Sequence, residues 1–412
     1  MASSVTVLGA HSQTITLHLD SSANVALASQ LAGLITAGVE DGSIIPASDA
    51  NGPPPPVPHG KSGEYTQAHS GLVFLPHGYV ADVVTAPNAV VFGSGDANEM
   101  VLSDKHTNLT FIATGGSGTV VAGGGDNRFL IPGWDNGNWS LNTGNGNDVI
   151  LTLGHGNDTI SAGGGRNAIL LGGGRDVVAS AGDDTISAGS GAETVDASAA
   201  SKDVVYGNDS KLLFLGGTGG ATIFGGSGSD TYIGGTAGKQ GSQVVHGGTD
   251  GNNFLFAGDG AATLFGGGSG DQLFAYGGHH QSLVAGAGNE TLNGAFGWGN
   301  NTFVAGSGHD TIIGGSGHDT FVGGHGHADV LATNPGHDVF EFIKGEAGGS
   351  MVVDGLTNSA DVHIDLDGYG RHEVARALST QTSTGHSVTV SLSDGTKITF
   401  DNITHLNGSN FS

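Results

Sequence analysis

A carboxylate recurs inside glycine-rich turns between about residue 144 and residue 340 of the chain. Residues 225–233 read Gly-Gly-Ser-Gly-Ser-Asp-Thr-Tyr-Ile and show the nine-residue pattern, in which the sixth position holds an acid and the eighth an apolar residue. Carboxylate and backbone carbonyl oxygens are the ligands that Ca²⁺ prefers, and it takes six or more of them. The pattern therefore predicts calcium sites built from sixth-position side chains and turn carbonyls.

Spacing selects the carboxylates that can share an ion. The predicted metal ligands are nine aspartates of the sixth position: Asp148, Asp158, Asp176, Asp184, Asp230, Asp271, Asp310, Asp319 and Asp338. Two nonads make one coil, so partners on one side lie about 18 residues apart, as Asp158 and Asp176 do. Asp319 and Asp338 are separated by 19 residues, and the other five aspartates have weaker partners.

Several repeats depart from aspartate at the sixth position. The departures are Asn167, Ala221, Ala262 and Ala328, together with the longer acids Glu193 and Glu290. We expect these turns to bind no metal or to bind it poorly. The sequence then predicts a partly degenerate array that holds a few calcium ions. A metal-free solenoid with glycine turns remains an alternative.

The elements that position these turns follow from the eighth position, which must form the core. It is occupied by Ile150, Ile160, Ile169, Val178, Ile186, Val195, Ile223, Tyr232, Leu264, Leu273, Leu292, Phe303, Ile312, Phe321 and Val330. A short strand and a glycine turn give half a coil, and coils stack at the strand spacing of about 4.8 Å. The predicted fold class is all-β: a parallel β-roll or β-solenoid with a small α/β N-terminal part and a β-rich C-terminal cap.

These tandem nonads, as at residues 306–324, resemble the repeats-in-toxin (RTX) family of Gram-negative bacteria. The resemblance covers roughly half of the chain. It implies a calcium-binding parallel β-roll, folding coupled to calcium outside the cell, and type I secretion through an uncleaved C-terminal signal. Residues 1–20 contain no basic segment followed by an apolar stretch, which agrees with an extracellular or cell-surface location reached without a signal peptide.

Composition limits the partners. Thirty-eight acids stand against twelve Lys and Arg, for a formal charge of −26, which disfavours nucleic acid and favours cations. The 78 glycines follow no collagen period, and the absence of cysteine excludes disulfides and thiol catalysis. No run of 18 apolar residues predicts a transmembrane segment.

The chain is predicted to contain five segments. These are a strand and helix segment at 1–46, a proline-rich linker at 47–60, an irregular solenoid start at 61–143, the nonapeptide roll at 144–340, and a cap with the secretion signal at 341–412. In the first segment, residues 22–38 read as a helix that Ser21 or Ser22 caps and Gly38 ends. In the last, strands 388–392 and 397–400 read as a hairpin around Asp394 and Gly395.

Little in the sequence predicts catalysis. Residues 372–376 begin like a zinc-protease helix, but Arg376 stands where the second histidine belongs, and no Gly-x-Ser-x-Gly elbow occurs. We therefore predict a secreted, non-catalytic, calcium-binding structural or adhesive protein of the bacterial surface or matrix. Self-assembly and binding of a surface or matrix polysaccharide are open alternatives for its partners.

Three other functions remain open. A polysaccharide-acting enzyme would use carboxylates of the 61–143 region, and a sugar-binding module would use the loop tryptophans Trp134, Trp139 and Trp298. An ice-binding solenoid would use threonine ladders on the outer faces, including Thr311 and Thr320. Histidines also cluster, which suggests transition-metal capture as an alternative to solvated loop residues: His279, His280, His309, His318, His325, His327 and His337.

Overall fold

The structure is a computed structural model that describes residues 3–235, 241–277, 280–333 and 337–412. His279 of the predicted histidine cluster lies outside these residues. The chain divides into two compact units, Met1–Ser210 and Lys211–Ser412. The five predicted segments stay a prediction.

The first unit is built from short strands and one long helix. Its elements are β1 Ser3–Leu8, β2 Thr14–Leu19, α1 Ser22–Glu40, β3 Ile44–Ser48, β4 Ser62–Gln67, β5 Gly71–Phe74, β6 Tyr79–Val84, β7 Asn88–Phe92, β8 Glu99–Ser103, β9 Asn108–Ile112, β10 Gly118–Val121, β11 Arg128–Ile131, β12 Trp139–Asn142, β13 Val149–Thr152, β14 Thr159–Ala162, β15 Ala168–Leu171, β16 Val177–Ser180, β17 Thr185–Ser187, β18 Ala192–Ala197 and β19 Lys202–Tyr206. Short 3₁₀ turns lie at Ala10–Ser12 and Asp49–Asn51.

These strands form two parallel sheets that alternate along the chain. β3 and the even-numbered strands from β4 to β18 make one sheet, and the odd-numbered strands from β5 to β19 make the other. Ile160 pairs with Val178 in the first sheet, and Ile169 pairs with Ile186 in the second. Each strand therefore pairs with the strand two further along, as a two-strand coil requires.

The N-terminal hairpin and helix pack onto this solenoid. β1 and β2 pair antiparallel, and Val7, Leu17 and Ile35 share one buried cluster with Leu102 and Val121 of the sheet. This packing accounts for the apolar face of α1. Among the described helices, α1 has the length and mean hydropathy (1.3) of a membrane span, but the core helix of a soluble protein meets the same criterion.

The helix ends later than expected. Oγ of Ser21 accepts the N–H of Asn24 at 3.0 Å, which confirms a serine N-cap. Gly38 was predicted to end the helix, and this prediction is wrong because α1 continues to Glu40. A Cβ at Gly38 would lie 2.6 Å from Cδ1 of Ile44, so close packing of β3 explains this glycine.

The second unit repeats the solenoid and ends in a cap. Its elements are β20 Lys211–Gly216, β21 Gly220–Phe224, β22 Thr231–Ile233, β23 Gln243–His246, β24 Phe254–Phe256, β25 Ala262–Phe265, β26 Gln272–Gly277, β27 Gln281–Val284, β28 Thr291–Gly297, β29 Thr302–Val304, β30 His309–Ile313, β31 Thr320–Val322, β32 His327–Leu331, β33 Val339–Ile343, β34 Ser350–Asp354, β35 His363–Asp367, α2 Glu373–Ser379, β36 Thr382–Thr384, β37 Ser387–Ser391 and β38 Lys397–Asp401. Short 3₁₀ turns lie at Ser359–Asp361 and Gly408–Asn410.

Even-numbered strands from β20 to β34 form one parallel sheet, and odd-numbered strands from β21 to β35 form the other. The predicted hairpin is present as antiparallel β37 and β38, and β38 also pairs parallel with β34. The hairpin thus covers the edge that β34 would otherwise expose.

The predicted core is confirmed. All fifteen eighth-position residues are buried, with at most 3% of each exposed. In the second unit Phe303, Phe321 and Phe340 stack, with ring centroids 5.4 Å apart at each step. All-β parallel solenoid architecture with a small α/β N-terminal part is therefore what this chain adopts.

Candidate metal centre

Glycine is required in the turns because neighbouring coils nearly touch there. A Cβ at Gly156 would lie 2.0 Å from the carbonyl oxygen of Gly137, one coil earlier. At Gly165 φ is +109°, and a Cβ would lie 1.8 Å from the carbonyl oxygen of Gly146. Any side chain at these positions would push the coils apart. The glycines therefore bring backbone carbonyls and sixth-position side chains into one narrow layer.

The structure brings together both aspartate pairs that spacing predicted. The N–H of Asp158 donates to Oδ1 of Asp176 at 2.8 Å, and the N–H of Asp319 donates to Oδ1 of Asp338 at 3.0 Å. All nine predicted aspartates are buried, with at most 5% exposed. Each carboxylate is thus held against the backbone of the preceding coil.

The same hydrogen bond links five successive sixth positions along one edge of the first unit. They are Asn127, Asp148, Asn167, Asp184 and Asp203. The backbone N–H of each of the first four donates to Oδ1 of the next residue in this series at 2.8 to 3.1 Å. Oγ of Ser180 lies between the last two acids, 2.7 Å from Oδ2 of Asp184 and 3.1 Å from Oδ1 of Asp203, so its single proton is shared between the two carboxylates.

Asp203 was not among the sequence-predicted ligands. Residues 198–202 contain no glycine, so the nonapeptide pattern does not mark this turn. The signal that would have found Asp203 is its distance along the chain, since it follows Asp184 by 19 residues. That spacing equals the one between Asp319 and Asp338.

Buried carboxylate oxygens that lack a donor are the strongest indication of a cation. Oδ2 of Asp148, Asp176 and Asp203 has no hydrogen-bond partner in the described part of the chain. Leaving a charged oxygen buried without a partner costs several kcal/mol, of order 1–3 even for a neutral group. A metal ion bound in the turn would supply the missing partner.

Four aspartates of the second unit differ from these three. Asp230, Asp271, Asp310 and Asp319 each accept a turn glycine N–H at Oδ2, at 2.8 to 3.1 Å, in addition to the contact at Oδ1. Both oxygens of each carboxylate therefore already have a backbone donor. In this geometry these four side chains stabilise the turn directly.

Burial shapes the electrostatics of the turns. It raises the pKa of Asp176 to about 7, with the neighbouring Asp158 adding to the effect, and likewise raises the pKa of Asp338 to about 7. Burial also raises the pKa of Asp148 and of Asp203 to about 6. The charged form is thus disfavoured until a cation compensates it.

Burial also raises the pKa of Asp158, Asp184, Asp230 and Asp319 above the ordinary value. Glu290, the longer acid of the second unit, donates its N–H to Oδ1 of Asp310 at 3.1 Å. Burial and this acidic neighbour raise its pKa, and its Oε2 has no partner among the described residues.

Amide side chains take the place of a cation where aspartate is missing. Nδ2 of Asn167 donates to Oδ1 of Asp184 at 2.8 Å and to the turn carbonyl of Gly163 at 3.3 Å. Nε2 of Gln281 donates to the carbonyls of Gly258 and Gly260 at 2.9 and 2.8 Å. An amide N–H₂ directs two donors at oxygens that would otherwise ligate an ion. Ala221, Ala262 and Ala328 supply neither carboxylate nor amide.

The predicted threonine ladders are interrupted. Thr302 pairs with Thr320, but Val244 lies between Thr222 and Thr263 on the same sheet. On the other sheet Thr231 pairs with Phe254. The outer faces therefore mix polar and apolar side chains.

The fold and these turns define a class of protein: a parallel β-solenoid whose glycine turns bury aligned carboxylates. The family model described as the RTX calcium-binding nonapeptide repeat matches four segments, residues 142–178, 177–201, 247–279 and 296–327. The chain therefore carries RTX calcium-binding nonapeptide repeats within a parallel β-solenoid, which supports an RTX β-roll. No curated protein and no solved structure matches the chain significantly.

Proposed function

We propose that this protein is a secreted calcium-binding structural or adhesive protein of the bacterial surface or extracellular matrix. The observation that carries the proposal is the set of buried Oδ2 atoms of Asp148, Asp176 and Asp203 that lack a hydrogen-bond donor among the residues that the structure describes. The RTX repeat is generally a structural, non-catalytic unit of secreted proteins, which agrees with a scaffold role.

Nine aspartates from the sequence, together with Asp203, are the proposed calcium ligands. Bound calcium would neutralise the facing carboxylates and draw the turn carbonyls of adjacent coils together. Oδ2 can bind the ion without losing a hydrogen bond from the described residues in three of these side chains: Asp148, Asp176 and Asp203. Asp230, Asp271, Asp310 and Asp319 would have to exchange a glycine N–H for the ion, so we propose that they bind calcium more weakly.

A titration of Ca²⁺ into EDTA-stripped protein tests this function, with circular dichroism to follow β-structure and light scattering to follow association. The proposal expects β-structure and stability to rise with Ca²⁺, and Mg²⁺ at equal concentration to act weakly. Growth of scattering with Ca²⁺ would support self-assembly. A chain that is fully folded in EDTA and indifferent to Ca²⁺ would overturn the proposal and leave a metal-free solenoid.

The secretion route is a separate proposal. We propose signal-peptide-independent export with the signal inside residues 341–412. The test fuses these residues to a reporter in cells that carry a type I exporter. Reporter retained in the cells would contradict this route without affecting the calcium proposal.

A sugar-binding role is the second candidate. Trp134 and Trp298 are 76% and 62% exposed, whereas Trp139 is buried in the core. Exposed indole rings are suited to stacking on sugars. Binding to a polysaccharide array that is lost in Trp134→Ala or Trp298→Ala would support this candidate.

The enzyme alternative is less well supported. The carboxylates of the 61–143 region with raised pKa values are Glu64, Asp82 and Glu99, and all three are at most 1% exposed. A polymer substrate cannot reach groups so deeply buried without opening the solenoid. Polysaccharide turnover that disappears on replacing one of them would reverse this judgement.

A further inference from the structure

One repeat of the second unit carries its acid at the wrong position for calcium. Residues 323–331 have Ala328 at the sixth position and Asp329 at the seventh. Because side chains alternate along a strand, Asp329 points outward, and its side chain is 51% exposed. Asp329 therefore cannot join the buried carboxylates and needs another explanation.

Two imidazoles face Asp329 on the outer surface. His309 of β30 and His327 of β32 are register partners on adjacent strands, with ring centroids 4.4 Å apart. Nε2 of His327 lies 3.0 Å from Oδ1 of Asp329, and Nε2 of His309 lies 3.9 Å from Oδ2. One ligand atom from each of the three residues lies within 4.8 Å of the others.

We propose that His309, His327 and Asp329 form a surface site for a divalent transition-metal ion, with Zn²⁺ as the best match. Imidazole nitrogens suit zinc, copper and nickel, whereas calcium takes oxygen ligands. Bonds of about 2.0 Å at tetrahedral angles place ligand atoms about 3.3 Å apart. The separations from the two imidazoles to the Asp329 carboxylate, 3.0 Å to Oδ1 and 3.9 Å to Oδ2, lie on either side of this value. The three ligand atoms lie within 4.8 Å of one another, so they must draw together to bind one ion.

Ser350 of β34 supports the site from the next coil. Its Oγ lies 2.6 Å from Nδ1 of His327, the ring nitrogen on the side away from Asp329. A hydrogen bond to one ring nitrogen of a metal-binding histidine fixes the ring and directs the other nitrogen at the ion. Asp329, His327 and Ser350 thus form an arrangement in which the metal replaces the proton between Nε2 and the carboxylate.

The site would join adjacent coils from outside. His309 lies on β30 and the other two ligands on β32, so a bound ion links two strands independently of the calcium turns between them. Three protein ligands leave a fourth position for water or for an external donor. The proposal goes beyond the proposed function, because it needs neither the sixth-position carboxylates nor adhesion.

Titration of Zn²⁺ into the full-length protein at saturating Ca²⁺ tests the site, by calorimetry and by the visible spectrum of a Co²⁺ substitute. We expect one tight equivalent and a tetrahedral Co²⁺ spectrum. His309→Ala, His327→Ala and Asp329→Asn should each weaken binding at least about tenfold, and Ser350→Ala should weaken it less. Circular dichroism and the calcium midpoint of each variant should match the wild type, which separates loss of ligands from loss of fold.

His318→Ala is the matched control. The ring of His318 also stacks on another histidine, His337, with ring centroids 4.8 Å apart. Neither of these two residues belongs to a three-ligand group among the described residues. Zinc binding should be unchanged in this variant. Equal loss in His318→Ala and His327→Ala, or wild-type binding no tighter than that of the His309→Ala/His327→Ala double variant, would overturn the site.

Discussion

The N–H of Asp158 donates a 2.8 Å hydrogen bond to Oδ1 of Asp176, the residue 18 positions later. This contact orients the Asp176 carboxylate before any ion binds, and it leaves Oδ2 buried and without a partner among the described residues. Oδ1 of Asp176 is therefore hydrogen-bonded to the backbone, while Oδ2 can bind a cation.

Replacing Asp176 by asparagine should remove a calcium ligand and preserve the coil. The amide Oδ1 can still accept the N–H of Asp158, and Nδ2 would donate to turn oxygens as Nδ2 of Asn167 does. We expect calcium affinity at this turn to fall about tenfold or more. Calorimetric calcium titration measures it.

Glu40→Gln is the control for the Asp176 variant, because it removes one negative charge of the same unit from an exposed residue at the end of α1, outside the glycine turns. Its calcium isotherm should match the wild type. If Asp176→Asn also matches the wild type, Asp176 is not a ligand.

Asn167→Asp should create a calcium-binding turn. The substitution joins Asp148, residue 167 and Asp184 into consecutive acids on one edge and removes the Nδ2 donors to Gly163 and Asp184. Without calcium the protein should lose about 1–3 kcal/mol of stability, the cost of buried acceptors left unpaired. With calcium it should bind additional ions and recover. An unchanged calcium stoichiometry would contradict the view that Asn167 replaces an ion.

The buried acids of the first unit should make stability fall as pH rises. Burial raises the pKa of Glu64 to about 8 and of Glu99 to about 7, both from 4.5, and raises the pKa of Asp82 well above 3.8. The folded state therefore keeps protons that the unfolded chain has released above pH 4.5. The free energy of unfolding is highest below that pH and declines as the pH passes through about 7 to 8.

Denaturant unfolding at about pH 5 and about pH 8.5, in saturating calcium, measures this decline. Glu64→Gln and Glu99→Gln should flatten it, because an amide does not titrate. Glu346→Gln is a control for the charge change, since Glu346 lies in the second unit and is exposed. Equal slopes in the wild type and the Glu64→Gln/Glu99→Gln double variant would contradict the assignment.

Phe321 should be critical to the core of the second unit. It is fully buried between Phe303 and Phe340. Phe321→Ala should cost about 3–5 kcal/mol of stability. Trp298→Ala, which truncates a 62% exposed ring, should cost much less. Thermal unfolding in saturating calcium compares them, and a small effect of Phe321→Ala would mean that the coils repack around the gap.

The sequence alone determined the coil. Each nonad has glycines in its turn, where a neighbouring coil can approach closely, and an apolar residue at its eighth position. This pattern predicts short parallel strands, and all fifteen predicted core residues are buried. The reason is that both signals are local: each nonad encodes its own turn and its own inward side chain, and only its copies in adjacent coils are needed to complete it.

Only the tertiary structure decided what each acid does. Gly315 donates its N–H to Oδ2 of Asp319, whereas Oδ2 of Asp176 has no partner among the described residues. A glycine stands four residues before each of these aspartates, so the repeat does not distinguish them. Asp203 accepts the N–H of Asp184 although its own turn contains no glycine. Asp329 stands at the seventh position of its nonad instead of the sixth, so its side chain points outward and faces two histidines. These contacts join residues far apart in the chain, and stacking sets their geometry.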